Sequence, residues 1–226
     1  MISLEGVTKT YQLRNGETKK IMSDVTIKIP PKNLAILGRN GAGKSTTLRM
    51  IAGIEDPDEG RIRRSVNVSW PIGFRGSFHR QLTGLENVRF VARMYGRDTE
   101  AVVDSVKDFA ELGSFFTEPI KTYSSGMVAR LAFGLSMAID FEVYLIDELM
   151  SAGDARFKEK SKAVFHGKLA ASKIIMVSHS MATLREYCEA GIFLENGVLS
   201  YFDDIEEAIA KYEKSSLKPQ NISNVS

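Results

Sequence analysis

The stretch Leu34-Ala35-Ile36-Leu37-Gly38-Arg39-Asn40-Gly41-Ala42-Gly43-Lys44-Ser45-Thr46 constrains this chain more than any other part of it. Four apolar residues make a strand that runs straight into a glycine-rich turn closed by Lys-Ser. Glycines at 38, 41 and 43 open backbone conformations closed to other residues. Successive N–H groups from Gly38 through Thr46 can therefore converge on an anion at the start of the following helix. Lys44 adds a mobile cation suited to terminal phosphates, and the Ser45 hydroxyl suits Mg2+. The pattern predicts a nucleotide phosphate cradle in an α/β fold.

The rest of the chain fits that class. With 226 residues and 43% hydrophobic content it can bury one core with a small lobe attached. Thirty basic residues against 28 acidic leave a net charge of +2, so no overall field argues for nucleic acid. The single cysteine, Cys188, excludes an internal disulfide framework and reads as packing within a helical run. No basic N-terminal region precedes an apolar run, and no apolar stretch reaches the roughly 20 residues of a membrane-spanning helix. A membrane role is expected to come through a partner.

Alternating residues predict two antiparallel strands at 2–11 and 20–29 around a turn near Asn15-Gly16. Apolar runs at 33–37, 142–147 and 173–178 predict parallel strands buried on both faces. Helical periodicity between residues 85 and 140 predicts a helical lobe inserted into the α/β core, about residues 82–136. An Asn196-Gly197 turn predicts a hairpin over 191–199, and Asp203 or Asp204 caps a helix through Tyr212. The expected nucleotide-binding domain is residues 1–214, with 215–226 a flexible tail.

Two further strand ends supply chemistry that the cradle lacks. Val143-Tyr144-Leu145-Ile146-Asp147-Glu148 ends in paired acids: Asp147 suits Mg2+, and Glu148, on the other side of the strand, suits polarising an attacking water. Such a pair standing alone could equally be a solvated strand end. Val177-Ser178-His179 delivers an imidazole to the sheet edge where α/β ligands bind, placing His179 as a γ-phosphate contact. His166 reads as plain surface.

The loop, Tyr123-Ser124-Ser125-Gly126-Met127, the Asp147-Glu148 pair and His179 together resemble an ABC-type ATPase subunit over nearly the whole chain. The resemblance implies a P-loop NTPase (RecA-like) core with an N-terminal antiparallel β subdomain and an inserted helical subdomain. Tyr123 to Met127 stands in place of the signature motif, most often Leu-Ser-Gly-Gly-Gln. Ser124 and Gly126 are retained, with departures at Tyr123, Ser125 and Met127. Family members use this motif across a dimer, so Ser124, Ser125 and Gly126 are expected to close the partner's ATP site in a two-fold homodimer. Ser151-Ala152-Gly153-Asp154 resembles the D-loop at that interface. Tyr11 falls where the family stacks an aromatic on adenine, and its alternative is a strand tyrosine in the core. The family's linker Gln, which touches Mg2+, is missing, and His79 or Gln81 stands in for it, His79 being favoured.

Ser69-Trp70-Pro71-Ile72-Gly73, the segment Tyr123 to Ser136 and Gly153-Asp154-Ala155-Arg156-Phe157 narrow the resemblance to ATP-binding subunits of capsular polysaccharide exporters. That implies a peripheral subunit on the cytoplasmic face of the bacterial inner membrane. It would pair with two copies of a membrane-spanning permease and use ATP and Mg2+ to move lipid-linked polymer. The alternatives are an O-antigen or teichoic-acid exporter subunit, a soluble ABC ATPase, or a P-loop kinase, which would not need Ser124 to Gly126. A chain ending about a dozen residues past its last helix is expected to carry no C-terminal carbohydrate-binding domain. Arg61, Arg63, Arg64, Arg75 and Arg80 read as a solvated basic face.

Overall fold

The computed structural model describes residues 1–72, 78–148 and 155–217. Two compact units appear, one formed by residues 1–66 with the chain from 174 onward, the other by residues 67–173.

The first unit opens with β1 (Ile2–Gln12) and β2 (Thr18–Ile29), antiparallel as predicted, with Ile2 opposite Ile29 and Tyr11 opposite Lys19. Ile2, Leu4 and Val7 are buried, so one face of this sheet supplies core. β3 (Leu34–Leu37) is buried at all four positions and leads through the glycine-rich turn into α1 (Lys44–Ala52). β4 (Glu59–Arg64) then adds to the free edge of β1.

The arginines on β4 are exposed, as expected of a solvated face, but their charges are partnered. Arg61 and Arg63 both pair with Glu5, at 2.6 and 2.9 Å. Arg64 donates from Nε to the Ile51 carbonyl at 2.6 Å and also reaches the Met50 carbonyl. It thereby satisfies carbonyls at the C-terminal end of α1, where a cation also meets the negative end of the helix dipole. Arg75 lies outside the described residues.

The later strands of this unit are β7 (Lys173–Val177), β8 (Ala190–Glu195) and β9 (Val198–Phe202), and they stand in the order β7-β3-β8-β9. The first three are parallel. β8 and β9 form the predicted hairpin, with φ of 52° at Asn196 and 80° at Gly197. Between β7 and β8 lies α6 (Met181–Tyr187), and the unit ends with α7 (Ile205–Ser216). Asp204 caps α7, accepting the Glu206 N–H at 2.7 Å, while Asp203 pairs with Lys32 instead. α7 runs beyond the expected tail boundary. Ser215 is buried and donates its hydroxyl to Glu195, so residues 215 and 216 belong to the packed helix. Cys188 is buried after α6, and burial pushes its thiol up to about 12, as a packing residue should behave.

The second unit contains β5 (Val68–Ile72) and β6 (Val143–Asp147), paired in parallel with Ile72 opposite Ile146. Its helices are α2 (Gly84–Met94), α3 (Thr99–Ala110), α4 (Ser125–Ala138) and α5 (Ala155–Leu169). α2 starts with a capping box, Thr83 and Glu86 each satisfying the other's backbone N–H. α3 packs on α4 where Gly134 admits the Phe109 ring, and Phe109 and Phe133 sit 5.3 Å apart. Trp70 of β5 clusters with Tyr95 and Phe141, each ring touching the other two, and donates to Ser136 of α4 at 2.9 Å. Residues 131–137 of α4 are all buried, so the C-terminal half of the helix is fixed by packing.

Candidate nucleotide site

The phosphate loop is shaped by contacts that exclude side chains. A Cβ on Gly38 would lie 2.6 Å from the Leu194 carbonyl oxygen of β8, and one on Gly43 would lie 2.3 Å from the Ile21 side chain. Gly43 also holds φ at 108°, in the left-handed region. It is the N-cap of α1, yet no side chain caps that helix and no acid occupies its first turn. The positive end of the helix is therefore offered to the loop. Lys44 curls back to donate to the carbonyls of Gly38 at 2.8 Å and Arg39 at 3.2 Å, holding the loop closed on itself. Asn40 and Gly41 are exposed at its crest, and Ala42 and Ser45 are half-buried. The fit to a polyphosphate is that of a backbone cradle in which glycine is required by space.

Tyr11 is tied to the same helix. Its hydroxyl donates to Glu55, with the Thr46 hydroxyl and Arg49 Nη2 each 3.4 Å away. Arg49 also donates to Glu55 at 3.0 Å and to Thr46 at 3.1 Å, and Lys9 pairs with Glu55 at 3.2 Å. Burial pushes the Glu55 carboxyl up, but hydrogen bonds from Tyr11, Arg49 and Lys9 outweigh it and hold the group below its ordinary value. The side chain of the buried Thr46 is thus committed to Tyr11 and Arg49, leaving its backbone for the cradle. Sequence reasoning singled out Tyr11 but missed Glu55, which carries no motif and is recognisable only from the contact.

His179 follows β7 directly and is exposed, next to Ser178, whose hydroxyl accepts the Ser180 N–H at 3.1 Å. Ser180 in turn caps α6. A small cleft is lined by Gly38, Lys44, Ser178, His179, Met181 and Tyr212. Two residues predicted from separate motifs, Lys44 and His179, therefore meet in one place, together with a tyrosine that sequence reasoning passed over.

In the second unit, Asp147 ends β6 half-buried and Glu148 follows, exposed, with φ at 60°. A non-glycine residue in that region is strained by about 1–3 kcal/mol, a cost that tends to be retained at functional sites. Ser124 is exposed and caps α4, its Oγ accepting the Met127 N–H at 3.2 Å, which leaves the hydroxyl proton for an outside acceptor. Ser125 is exposed beside it. A Cβ on Gly126 would meet nothing closer than Ser124 Oγ at 3.9 Å, so no packing within the chain demands glycine there. Tyr123 explains one departure from the common signature. Its hydroxyl donates to the Phe115 carbonyl at 2.6 Å and lies where a side chain on Gly84 would be, anchoring the signature to the start of α2.

The His79 side chain is exposed, and its backbone is clasped by the buried Asn87, which accepts the His79 N–H at 2.9 Å and donates to its carbonyl at 3.2 Å. Asp154 and the linker at 73–77 lie outside the described residues. Among the described residues no group of three or more His, Cys, Asp or Glu could hold a metal. Ser45 in the first unit and Asp147 in the second each carry an oxygen of the kind Mg2+ takes.

Comparison with known proteins decides the family. The family described as "ABC transporter" matches residues 22–151, more than half the chain. The polysialic acid transport ATP-binding protein KpsT of Escherichia coli is 46% identical over 94% of this chain and 96% of its own. The chain is an ABC transporter ATP-binding protein. The capsule polysaccharide export ATP-binding protein CtrD of Neisseria meningitidis is 44% identical over 94% of this ABC protein and 98% of its own length. Among solved structures, the dimeric ATP-binding cassette MJ0796 bound to ADP and Pi aligns with a TM-score of 0.71. It covers 89% of this chain and 98% of its own at 22% identity, which establishes the shared fold. As an ABC ATPase, this protein binds nucleotide and hydrolyses ATP on a P-loop core, as the glycine-rich loop predicted.

Proposed function

We propose that this ABC protein is the ATP-hydrolysing motor of a capsular polysaccharide exporter. It would work as a homodimer beneath two copies of a membrane-spanning permease, at the cytoplasmic face of the inner membrane. The near full-length similarity to capsule export ATP-binding proteins carries this reading. No described helix is long and apolar enough to cross a membrane, so passage of the polymer falls to the partner.

The residues divide the work. The amides from Gly38 to Thr46 bind the phosphate chain, and Lys44 exchanges its carbonyl partners for the terminal phosphates. Tyr11, fixed at its hydroxyl end by Glu55, offers its ring to adenine. Ser45 and Asp147 supply the hydroxyl and the carboxylate for Mg2+, which when bound neutralises charge on the phosphates. Glu148 polarises the attacking water, and His179 holds the γ-phosphate. Ser124, Ser125 and Gly126 close the second copy's nucleotide site, an approach for which the open space at Gly126 leaves room. Asp154 lies at the interface between copies, and His79 replaces the linker glutamine.

Phe90 and Met94 face outward one turn apart on α2, 59% and 65% exposed, with Phe115 also exposed. This apolar surface suits short helices of the permease. Co-expression with the membrane subunit tests the assignment through polymer at the cell surface. Glu148→Gln is expected to abolish export. Normal surface polysaccharide in that variant would remove the export role.

A further inference from the structure

α7 is locked onto the sheet that bears the phosphate loop. A Cβ on Gly191 of β8 would lie 2.3 Å from the Ala208 Cβ, so α7 packs against the strand with no room for a side chain there. Ile205, Ala208 and Ile209 are buried in that contact. Two polar ties fix the helix further. Near its start, Glu206 accepts two hydrogen bonds from Arg185 of α6, at 2.7 and 3.0 Å. Near its end, Ser215 donates to Glu195, which closes β8. α6 begins two residues after His179, and β8 neighbours β3, from which the phosphate loop springs. The helix is thus tied to α6, which follows His179, and to β8, the neighbour of the strand that leads into the phosphate loop.

Tyr212 lies one turn beyond Ala208 and lines the cleft shared by Lys44 and His179. A phenolic hydroxyl both donates and accepts, so one group can serve an ammonium and an imidazole together. An apolar side chain would fill the cleft equally well and do neither.

We propose that Tyr212 is a positioning residue for ATP hydrolysis, its hydroxyl holding Lys44 and His179 in register for the γ-phosphate. The inference rests on the motor reading above and extends it to the C-terminal helix, which no nucleotide motif covers.

The test uses the purified full chain with ATP and Mg2+, comparing wild type, Tyr212→Phe, Tyr212→Ala and Glu148→Gln. Phosphate release gives kcat and KM, and equilibrium binding gives the ATP Kd. Tyr212→Phe keeps the ring and the packing, so its melting temperature should match wild type. Its kcat is expected to fall roughly 3- to 10-fold, the size of one lost hydrogen bond. Its ATP Kd should stay within about twofold of wild type, since only the reacting arrangement is disturbed. Wild-type kcat in Tyr212→Phe beside a damaged Tyr212→Ala would reduce Tyr212 to a space-filling ring and overturn the proposal. A loss of ATP affinity equal to the loss of kcat would overturn it too, by showing a ground-state contact. Both results leave the motor reading intact if turnover still depends on Glu148. Wild-type phosphate release that survives Glu148→Gln would instead defeat the motor reading, and the role of Tyr212 with it.

Discussion

The unit built on β3 and the unit built on β6 treat their polar groups in opposite ways. In the first, Tyr11, Thr46, Arg49, Glu55 and Lys9 satisfy one another, and Lys44 rests on its own loop. Those groups are braced before any ligand arrives. In the second, the residues proposed for chemistry are exposed: Glu148 in strained backbone, Ser124 with a proton to give, Ser125 beside it, and His79 on a clasped backbone. On the proposed assignments, nucleotide binding draws chiefly on the braced groups of the first unit, while the groups proposed for turnover are exposed ones, His179 of the first unit among them. On the proposed reading, a single copy is expected to bind nucleotide, and turnover is expected to need a second copy to close the site.

The sharpest way to break this contrast is to strike each unit once. Lys44→Ala should weaken ATP binding by about 10- to 100-fold, the size of a hydrogen bond to a charged group. Unchanged affinity in a calorimetric titration would end the cradle assignment. Glu148→Gln should lower phosphate release by about 100- to 10,000-fold while ATP affinity stays near wild type. If affinity falls with turnover, the division of labour between the units is wrong.

Tyr11→Ala should lose roughly 3- to 10-fold in ATP affinity, the worth of an aromatic stack, with affinity for inorganic triphosphate unchanged. An equal loss for both ligands would make Tyr11 part of the framework. Ser124→Ala should reduce stability by about 1 kcal/mol through the lost cap of α4. Its ATP-dependent dimerisation should weaken as well, and a purely thermal effect would confine Ser124 to capping.

The smallest effect concerns Glu55. Its folded pKa lies below its unfolded value near 4.3, so the stability it contributes is present above about pH 5 and is lost as pH falls through the folded value. Melting temperatures from pH 6 downward should therefore fall less steeply for Glu55→Gln than for wild type, and parallel curves would contradict the linkage.

Much of this was legible in the sequence because it depends on local order. Leu34 to Thr46 needs only neighbours to make a strand, a turn and a helix, and the apolar runs of β6 and β7 signal burial on both faces. The Asn196-Gly197 turn likewise dictates its own hairpin. β4 was not legible: Glu-Gly-Arg-Ile-Arg-Arg has one apolar residue, and its strand exists because β1 offers a free edge. Ser215 read as tail because nothing in its vicinity announces the partner, Glu195, twenty residues back. Tyr212 and Glu55 were invisible for the same reason, since their roles arise from helices and loops meeting in space. The Thr83-to-Glu86 capping box, by contrast, carries a sequence signature that reading for nucleotide motifs passes over.

The claim that exposed groups of one copy complete the nucleotide site of another is tested most directly by sedimentation velocity of the Glu148→Gln protein with and without saturating ATP. A monomer without nucleotide that becomes a stable dimer with ATP, and dimerises more weakly when Ser124→Ala is added, is the predicted result. A protein that binds ATP fully and remains monomeric throughout would contradict it.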